Sequence, residues 1–119
     1  MKSGILSAAV AAFGLLLAAP VSAQGVKIGI LNDQSGVYAD YGGKWSFEAA
    51  KMAVEDFGGS VLGQKIEVIS ADHQNKPDLA TAIARRWYEV EGVDMITELT
   101  TSSVALAEDH FRRRLEVVL

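Results

Sequence analysis

The chain contains no cysteine and only two prolines among its 119 residues. Without cysteine it can form no disulfide, offers no thiol nucleophile and has no cysteine-ligated metal site. A folded form must therefore take its stability from a packed core, and 50% of the residues are hydrophobic.

An excess of positive charge is also missing. The chain has 11 basic and 15 acidic residues, for a formal net charge of −4. An acidic protein is a poor partner for nucleic acid or for an anionic membrane surface. The loop at residues 32–43 contains neither G-x-x-x-x-G-K-[ST] nor G-x-G-x-x-G, the patterns of phosphate and dinucleotide sites. We therefore expect no nucleic-acid partner and no cofactor.

The chain has one long hydrophobic run, ILSAAVAAFGLLLAA, at residues 5–19. Lys2 precedes it, and small residues ending in Ala23 follow it, as in a secretory signal peptide. The run of about 15 residues is shorter than the ~20 that span a bilayer, although an uncleaved anchor is the alternative. We expect a signal peptide at residues 1–23, cleavage after Ala23, a periplasmic location and a single small domain at residues 24–119.

Beyond residue 23 the hydrophobic pattern alternates between strand and helix periods. Apolar, β-branched runs predict strands, and apolar residues three and four apart predict helices. The predicted strands are 26–31, 66–71, 93–99 and the start of a fourth at 116–119, and the predicted helices are 45–57, 78–91 and 104–115.

This order predicts an α/β fold with a Rossmann-like parallel sheet and helices on both faces. Since parallel strands end on the same side, the loops at residues 32–43, 72–77 and 100–103 should meet along one edge. Ligand sites of open α/β sheets are built at that edge.

The loop at residues 100–103 is a run of four hydroxyls, TTSS, that opens a helix. A helix N-terminus attracts anions such as carboxylates, but Ser and Thr are also the preferred helix caps, so both interpretations stay open. In the first loop, Tyr38 and Tyr41 can either line a ligand site or cover the following helix.

Three further residues on this edge can carry acid–base or metal chemistry: Asp33, Asp72 and His73. Two carboxylates and an imidazole can hold a divalent ion or form a phospho-acceptor pocket. Asp at the start of a loop is also ordinary turn chemistry. An enzyme or receiver domain of flavodoxin-like shape that uses Asp33 and Asp72 is therefore an alternative.

Three segments together resemble the start of a periplasmic substrate-binding protein of the branched-chain amino acid class, which serves ABC importers. They are VKIGILNDQSGVYADYGG, AAKMAVEDFGGSVLGQKIEVISADHQNKPDLATAIARRW and VDMITELTTSSVALA. The resemblance covers residues 26–107. It implies the first lobe of a type I periplasmic binding protein, in which a ligand is trapped between two lobes joined by a hinge.

The resemblance also implies site residues and partners. An amino acid or related carboxylate or amide would contact Tyr41, Thr101, Ser102 and Ser103. The partner would be an ABC permease in the inner membrane, and the protein would be a monomer without enzymatic activity.

The chain departs from the family pattern in three ways. Some relatives have a cystine at the positions of Asn75 and Thr100, and residues 108–119 match the family poorly. Family members also run to several hundred residues. We therefore expect residues 24–119 to be a partial N-terminal lobe that binds ligand with millimolar affinity or not at all. A truncated product without function is the further alternative.

Overall fold

The computed structural model describes residues 25–116 of the chain. The predicted signal peptide at residues 1–23 and the end of the predicted fourth strand lie outside the described residues. The described elements alternate between strand and helix along the chain: β1 Val26–Asn32, α1 Gly43–Phe57, β2 Ser60–Val61, β3 Gln64–Asp72, α2 Pro77–Glu89, β4 Met95–Thr97 and α3 Ser102–Glu116.

The four strands form one sheet in the order β2-β3-β1-β4. Both neighbours of β1 run parallel to it, with Asn32 opposite Asp72 at the end of the β1–β3 pair and Ile30 opposite Thr97 on the β4 side. The parallel α/β prediction is thereby confirmed for β1, β3 and β4. The short strand β2 pairs antiparallel with the start of β3, in the segment where the sequence predicted only a connection.

Local chemistry sets the ends of the helices. The chain leaves α1 at Gly58, whose φ of 106° suits glycine, and the amides of Gly58 and Gly59 close the last turn on Glu55 and Val54 carbonyls. Pro77 begins α2, where its missing N–H costs no helical hydrogen bond.

The two faces of the sheet are covered by different helices. Side chains alternate between faces along a strand. A Cβ added at Gly29 would lie 2.5 Å from the Trp87 ring of α2, so the odd-numbered residues of β1 face α2 and α3. Ile28 and Ile30 lie on the opposite face with α1. The prediction of helices on both faces is confirmed.

The buried core lies between the sheet, α2 and α3. It consists of apolar side chains that are at most 5% exposed: Leu31, Ala80, Ala84, Trp87, Val93 and Val104. Glu108 of α3 is also buried, and the Thr81 hydroxyl of α2 is the neighbour that favours its charged form. Burial raises the pKa of Glu108, because the charged form loses its hydration.

Most element ends move by one or two residues from the sequence-based prediction, and two changes matter for the fold. The third predicted strand, 93–99, shortens to Met95–Thr97, because Glu98 adopts a positive φ of 68° and turns the backbone out of the strand. Glu116, predicted to start a fourth strand, belongs to α3, which no turn residue interrupts after Arg114. No helix in residues 25–116 is long and apolar enough to cross a membrane.

Candidate functional site

The loops that follow β1, β3 and β4 meet at the carboxyl edge of the sheet, as the parallel register requires. The amide of His73 after β3 donates to the carbonyl of Asn32 at the end of β1, at 2.9 Å. A Cβ at Gly42 in the first loop would lie 3.7 Å from the Thr100 methyl group in the third. The edge is therefore one continuous surface formed by three loops.

Asp33 holds the first loop in shape. Its side chain is fully buried, and its carboxylate accepts backbone N–H groups from Gly36 at 2.6 Å and Tyr38 at 3.0 Å. Gly36 lies so close that a Cβ there would be 2.5 Å from the Asp33 carboxylate. Residue 36 must therefore stay small for the loop to close over this carboxylate.

Asp72 ties the first loop to the second. Its carboxylate accepts the amides of Gln34 and Gln74 at 2.9 and 2.8 Å, and the hydroxyl of Ser35 at 2.6 Å. Partial burial alone would raise the pKa of Asp72, but these hydrogen bonds to the charged form outweigh it and lower the pKa. The carboxylates of Asp33 and Asp72 thus both hold loop backbone in place.

His73 is fully buried beside these two carboxylates. Its Nδ1 accepts the amide of Asn75 at 3.0 Å, which fixes the neutral tautomer with the proton on Nε2. Nε2 has no partner among the residues the structure describes. Burial lowers the pKa of His73 below its ordinary value of 6.5, although the charges of Asp33 and Asp72 oppose this.

Below pH 6.5 we expect the contribution of His73 to stability to fall, because unfolded His73 then takes up a proton that the folded form resists. One such proton changes the free energy of unfolding by at most about 1.4 kcal/mol per pH unit. Chemical denaturation between pH 5 and about pH 8 measures the slope. The slope should become smaller in His73→Gln than in the parent chain. An equal slope in the parent chain and in His73→Gln would contradict this assignment.

The hydroxyls at positions 101–103 make no hydrogen bonds within the described residues. Ser102 and Ser103 begin α3 and are exposed, whereas the buried hydroxyl of Thr101 lacks a partner within residues 25–116. The first hydrogen bond of the helix runs from the Ala105 N–H to the Thr101 carbonyl at 2.9 Å, and within the described residues no hydroxyl of this run caps the amides that precede it. The hydroxyls and the first amides of α3 are therefore available to an anionic group.

The first loop adds aromatic side chains to the same edge. Tyr41 is 84% exposed, and its ring centroid lies 6.1 Å from that of Tyr38. Trp45, in the first turn of α1, is 68% exposed. Tyr41 is followed directly by Gly42, which lies against Thr100. The predicted residues thus fall on adjoining parts of the edge: Tyr41 is in the first loop, Thr101 ends the third loop, and Ser102 and Ser103 lie in the first turn of α3.

Two features of the edge were missed by sequence reasoning. Asn32 is fully buried, and its Nδ2 donates to the Gly43 carbonyl at 2.7 Å while its Oδ1 stays without a partner in the described part of the chain. Ser46 donates to Glu98 at 2.9 Å and so links α1 to the third loop. The sequence did offer one signal for the role of Asn32, since it is an uncharged polar residue at the end of an apolar strand.

The proposed acid–base or metal cluster is not assembled. Asp33 and Asp72 direct their oxygens to backbone amides and to Ser35. In the part of the chain that the structure describes, no three His, Asp or Glu side chains are grouped as metal ligands. The flavodoxin-like alternative thus has no free carboxylate pair to use.

The chain is thus an α/β domain whose carboxyl edge carries hydroxyls without partners in the described residues and exposed aromatic rings. Residues 25–113 match the family model described as periplasmic binding protein. The chain belongs to this family, a family of binding proteins. No curated protein matches the chain significantly.

Solved structures with the same fold are type I periplasmic binding proteins. A periplasmic binding protein from Burkholderia mallei is 49% identical, with a TM-score of 0.72 over 75% of this chain and 24% of that one. A branched-chain amino acid ABC transporter periplasmic ligand-binding protein from Burkholderia xenovorans is 44% identical, with a TM-score of 0.73 over 76% and 24%.

A solute-binding protein of an ABC transporter from Rhodopseudomonas palustris, in complex with benzoate, is 27% identical, with a TM-score of 0.66 over 76% of this chain and 25% of that one. The chain therefore spans about a quarter of the length of the structures that it matches.

Proposed function

We propose that this chain forms the N-terminal ligand-binding lobe of a solute-binding protein that delivers a small carboxylate to an ABC permease. The run of hydroxyls at the start of α3 carries the proposal, because Thr101, Ser102 and Ser103 make no side-chain hydrogen bonds of their own within the described residues. Export by the signal peptide at residues 1–23 would place this lobe in the periplasm, where the family acts.

The geometry of the edge supports the following binding step. The ligand carboxylate would accept hydrogen bonds from the Ser102 and Ser103 hydroxyls and from the free amides of the first turn of α3. Tyr41 would pack against the rest of the ligand and offer its hydroxyl. In a two-lobed protein the opposite lobe would then close over the ligand and present it to the permease.

The default ligand is a branched-chain amino acid, because the similar protein from Burkholderia xenovorans is described as the ligand-binding protein of a branched-chain amino acid ABC transporter. A second class, aromatic carboxylates, is favoured by the exposed aromatic side chains at the edge: Tyr38, Tyr41 and Trp45. Aromatic rings gain from offset or edge-to-face packing with other rings beyond their apolar area.

A panel of matched ligands tests this proposal on the full chain. Because one lobe leaves the ligand open to water on one side, we expect millimolar affinity in ligand-observed NMR. L-leucine should bind at least tenfold better than L-leucinamide, because the amide lacks the carboxylate. The affinity for benzoate is compared with the affinity for cyclohexanecarboxylate, because only benzoate has an aromatic ring. This comparison separates the two ligand classes. Equal binding of leucine and leucinamide would contradict a carboxylate site at α3.

A further inference from the structure

Glu98 has a strained backbone at the carboxyl edge of the sheet. It directly follows β4, and its φ of 68° lies in the left-handed region that suits glycine better than a residue with a side chain. Such a conformation persists only where the surrounding contacts hold it, and residues of this kind cluster at functional sites. The conformation of Glu98 therefore needs a contact that offsets its cost.

The side chain of Glu98 makes such a contact with α1. The Ser46 hydroxyl, in the first turn of that helix, donates to the Glu98 carboxylate at 2.9 Å. The first and second loops are joined differently, through the Asp72 carboxylate, which accepts the Gln34 amide and the Ser35 hydroxyl. The polar link between α1 and the third loop is therefore the pair formed by Ser46 and Glu98.

This pair lies next to a tight junction between the first loop and the third. A Cβ added at Gly42 would lie 2.8 Å from the Ser46 hydroxyl oxygen and 3.7 Å from the Thr100 methyl group. Tyr41 directly precedes Gly42, and the rest of the hydroxyl run directly follows Thr100. The position of the third loop against the start of α1 thus sets how far Tyr41 lies from the hydroxyl run.

We propose that Glu98 is a positioning residue of the ligand site, which through Ser46 holds the hydroxyl run at a fixed distance from Tyr41. The inference rests on the function proposed above, because it concerns the same site. Parts of a site that are already in place before binding lower the ordering cost that binding must meet. Loss of the pair should therefore weaken every ligand that uses both parts of the site.

Variants of the full chain test this role by ligand-observed NMR titration with L-leucine and with benzoate. Glu98→Ala and Ser46→Ala each remove the hydrogen bond, and we expect an affinity at least about threefold weaker for both ligands. The double variant should bind no more weakly than either single variant, since the two residues act through one contact. Glu98→Gln keeps an oxygen acceptor for Ser46, so its affinity should stay within about twofold of that of the parent chain.

The matched control is Glu48→Ala, because Glu48 is also an exposed glutamate of α1 but pairs with Lys51. It should leave both affinities unchanged. Unchanged affinities in Glu98→Ala would overturn the proposal. It would also be overturned if Glu98→Gln bound as weakly as Glu98→Ala, or bound benzoate more tightly and leucine more weakly, because the charge of Glu98 would then act on the ligand itself.

Hydrogen exchange without ligand separates this inference from the proposed function. The Trp45 amide donates to the Gly42 carbonyl in the first turn of α1, and the Ala105 amide donates to the Thr101 carbonyl in the first turn of α3. Both amides should exchange at least about threefold faster in Glu98→Ala than in the parent chain or the control. If the parent chain binds neither ligand, the proposed site is wrong, and exchange alone decides whether Glu98 joins the two helix starts. Unchanged exchange at both amides would contradict the positioning role even where the ligands bind.

Discussion

Replacing Trp87 by alanine should lower the free energy of unfolding by about 3–5 kcal/mol, the largest single effect that we expect in this protein. The Trp87 ring is 5% exposed and lies between Gly29 of β1 and the small residues of α2 and α3. Alanine would leave a cavity that the rigid strand cannot fill. For a domain of this size the loss corresponds to a melting temperature lower by roughly 15 °C or more.

The second tryptophan provides the matched control. Trp45 is 68% exposed on α1, so Trp45→Ala should change the free energy of unfolding by less than about 0.5 kcal/mol. Thermal melts followed by circular dichroism measure both variants against the parent chain. Equal effects of the two substitutions would contradict the core described above. A parent chain without a cooperative transition would instead favour the truncated, non-folding alternative.

Replacing Asp33 by alanine should release the first loop and lower the free energy of unfolding by about 1.5–3 kcal/mol. The carboxylate is fully buried and accepts the amides of Gly36 and Tyr38, and hydrogen bonds to a charged group contribute about this much. Hydrogen exchange followed by NMR should show faster exchange at both amides. The tyrosines at the tip of the loop would lose their fixed position as a result.

Asp40 is the control for this substitution, since it is exposed in the same loop. Asp40→Ala should leave the exchange of Gly36 and Tyr38 unchanged and the stability within about 0.5 kcal/mol. If Asp33→Ala left both amides protected, the loop would be held by other contacts, and the organising role of Asp33 would be wrong.

Much of the fold was predictable because the apolar periods are regular. Leu31 lies in the apolar run VKIGIL, and apolar residues recur at helical spacing in α2, so the strand and the helix followed directly. The packing face of α2 was predicted only in part: the large apolar residues favoured a stripe through Trp87 and Val90, whereas Ala80 and Ala84 are buried with Trp87 and Val90 is 77% exposed. The hairpin of β2 was missed because two residues, Ser60 and Val61, are too few for a periodic signal.

The site was predictable in its position but less so in its chemistry. The register of parallel strands brings the hydroxyl run and the first loop to one edge, which follows from topology alone. The roles of Asp33 and Asp72 did not follow, because their partners are backbone amides, which no residue type reveals. The engagement of Asn32 with Gly43 depends on how the chain enters α1, which is a tertiary feature.

We propose above all that this lobe binds a small carboxylate at the start of α3, beside Tyr41. Amide chemical-shift mapping of the full chain, titrated with L-leucine and with benzoate, tests it most directly. We expect saturable millimolar shifts concentrated at Tyr41, Ser102 and Ser103, and their loss in the double variant Ser102→Ala, Ser103→Ala. Shifts that fall instead on the sheet face that α1 covers, or that persist unchanged in the double variant, would contradict this proposal.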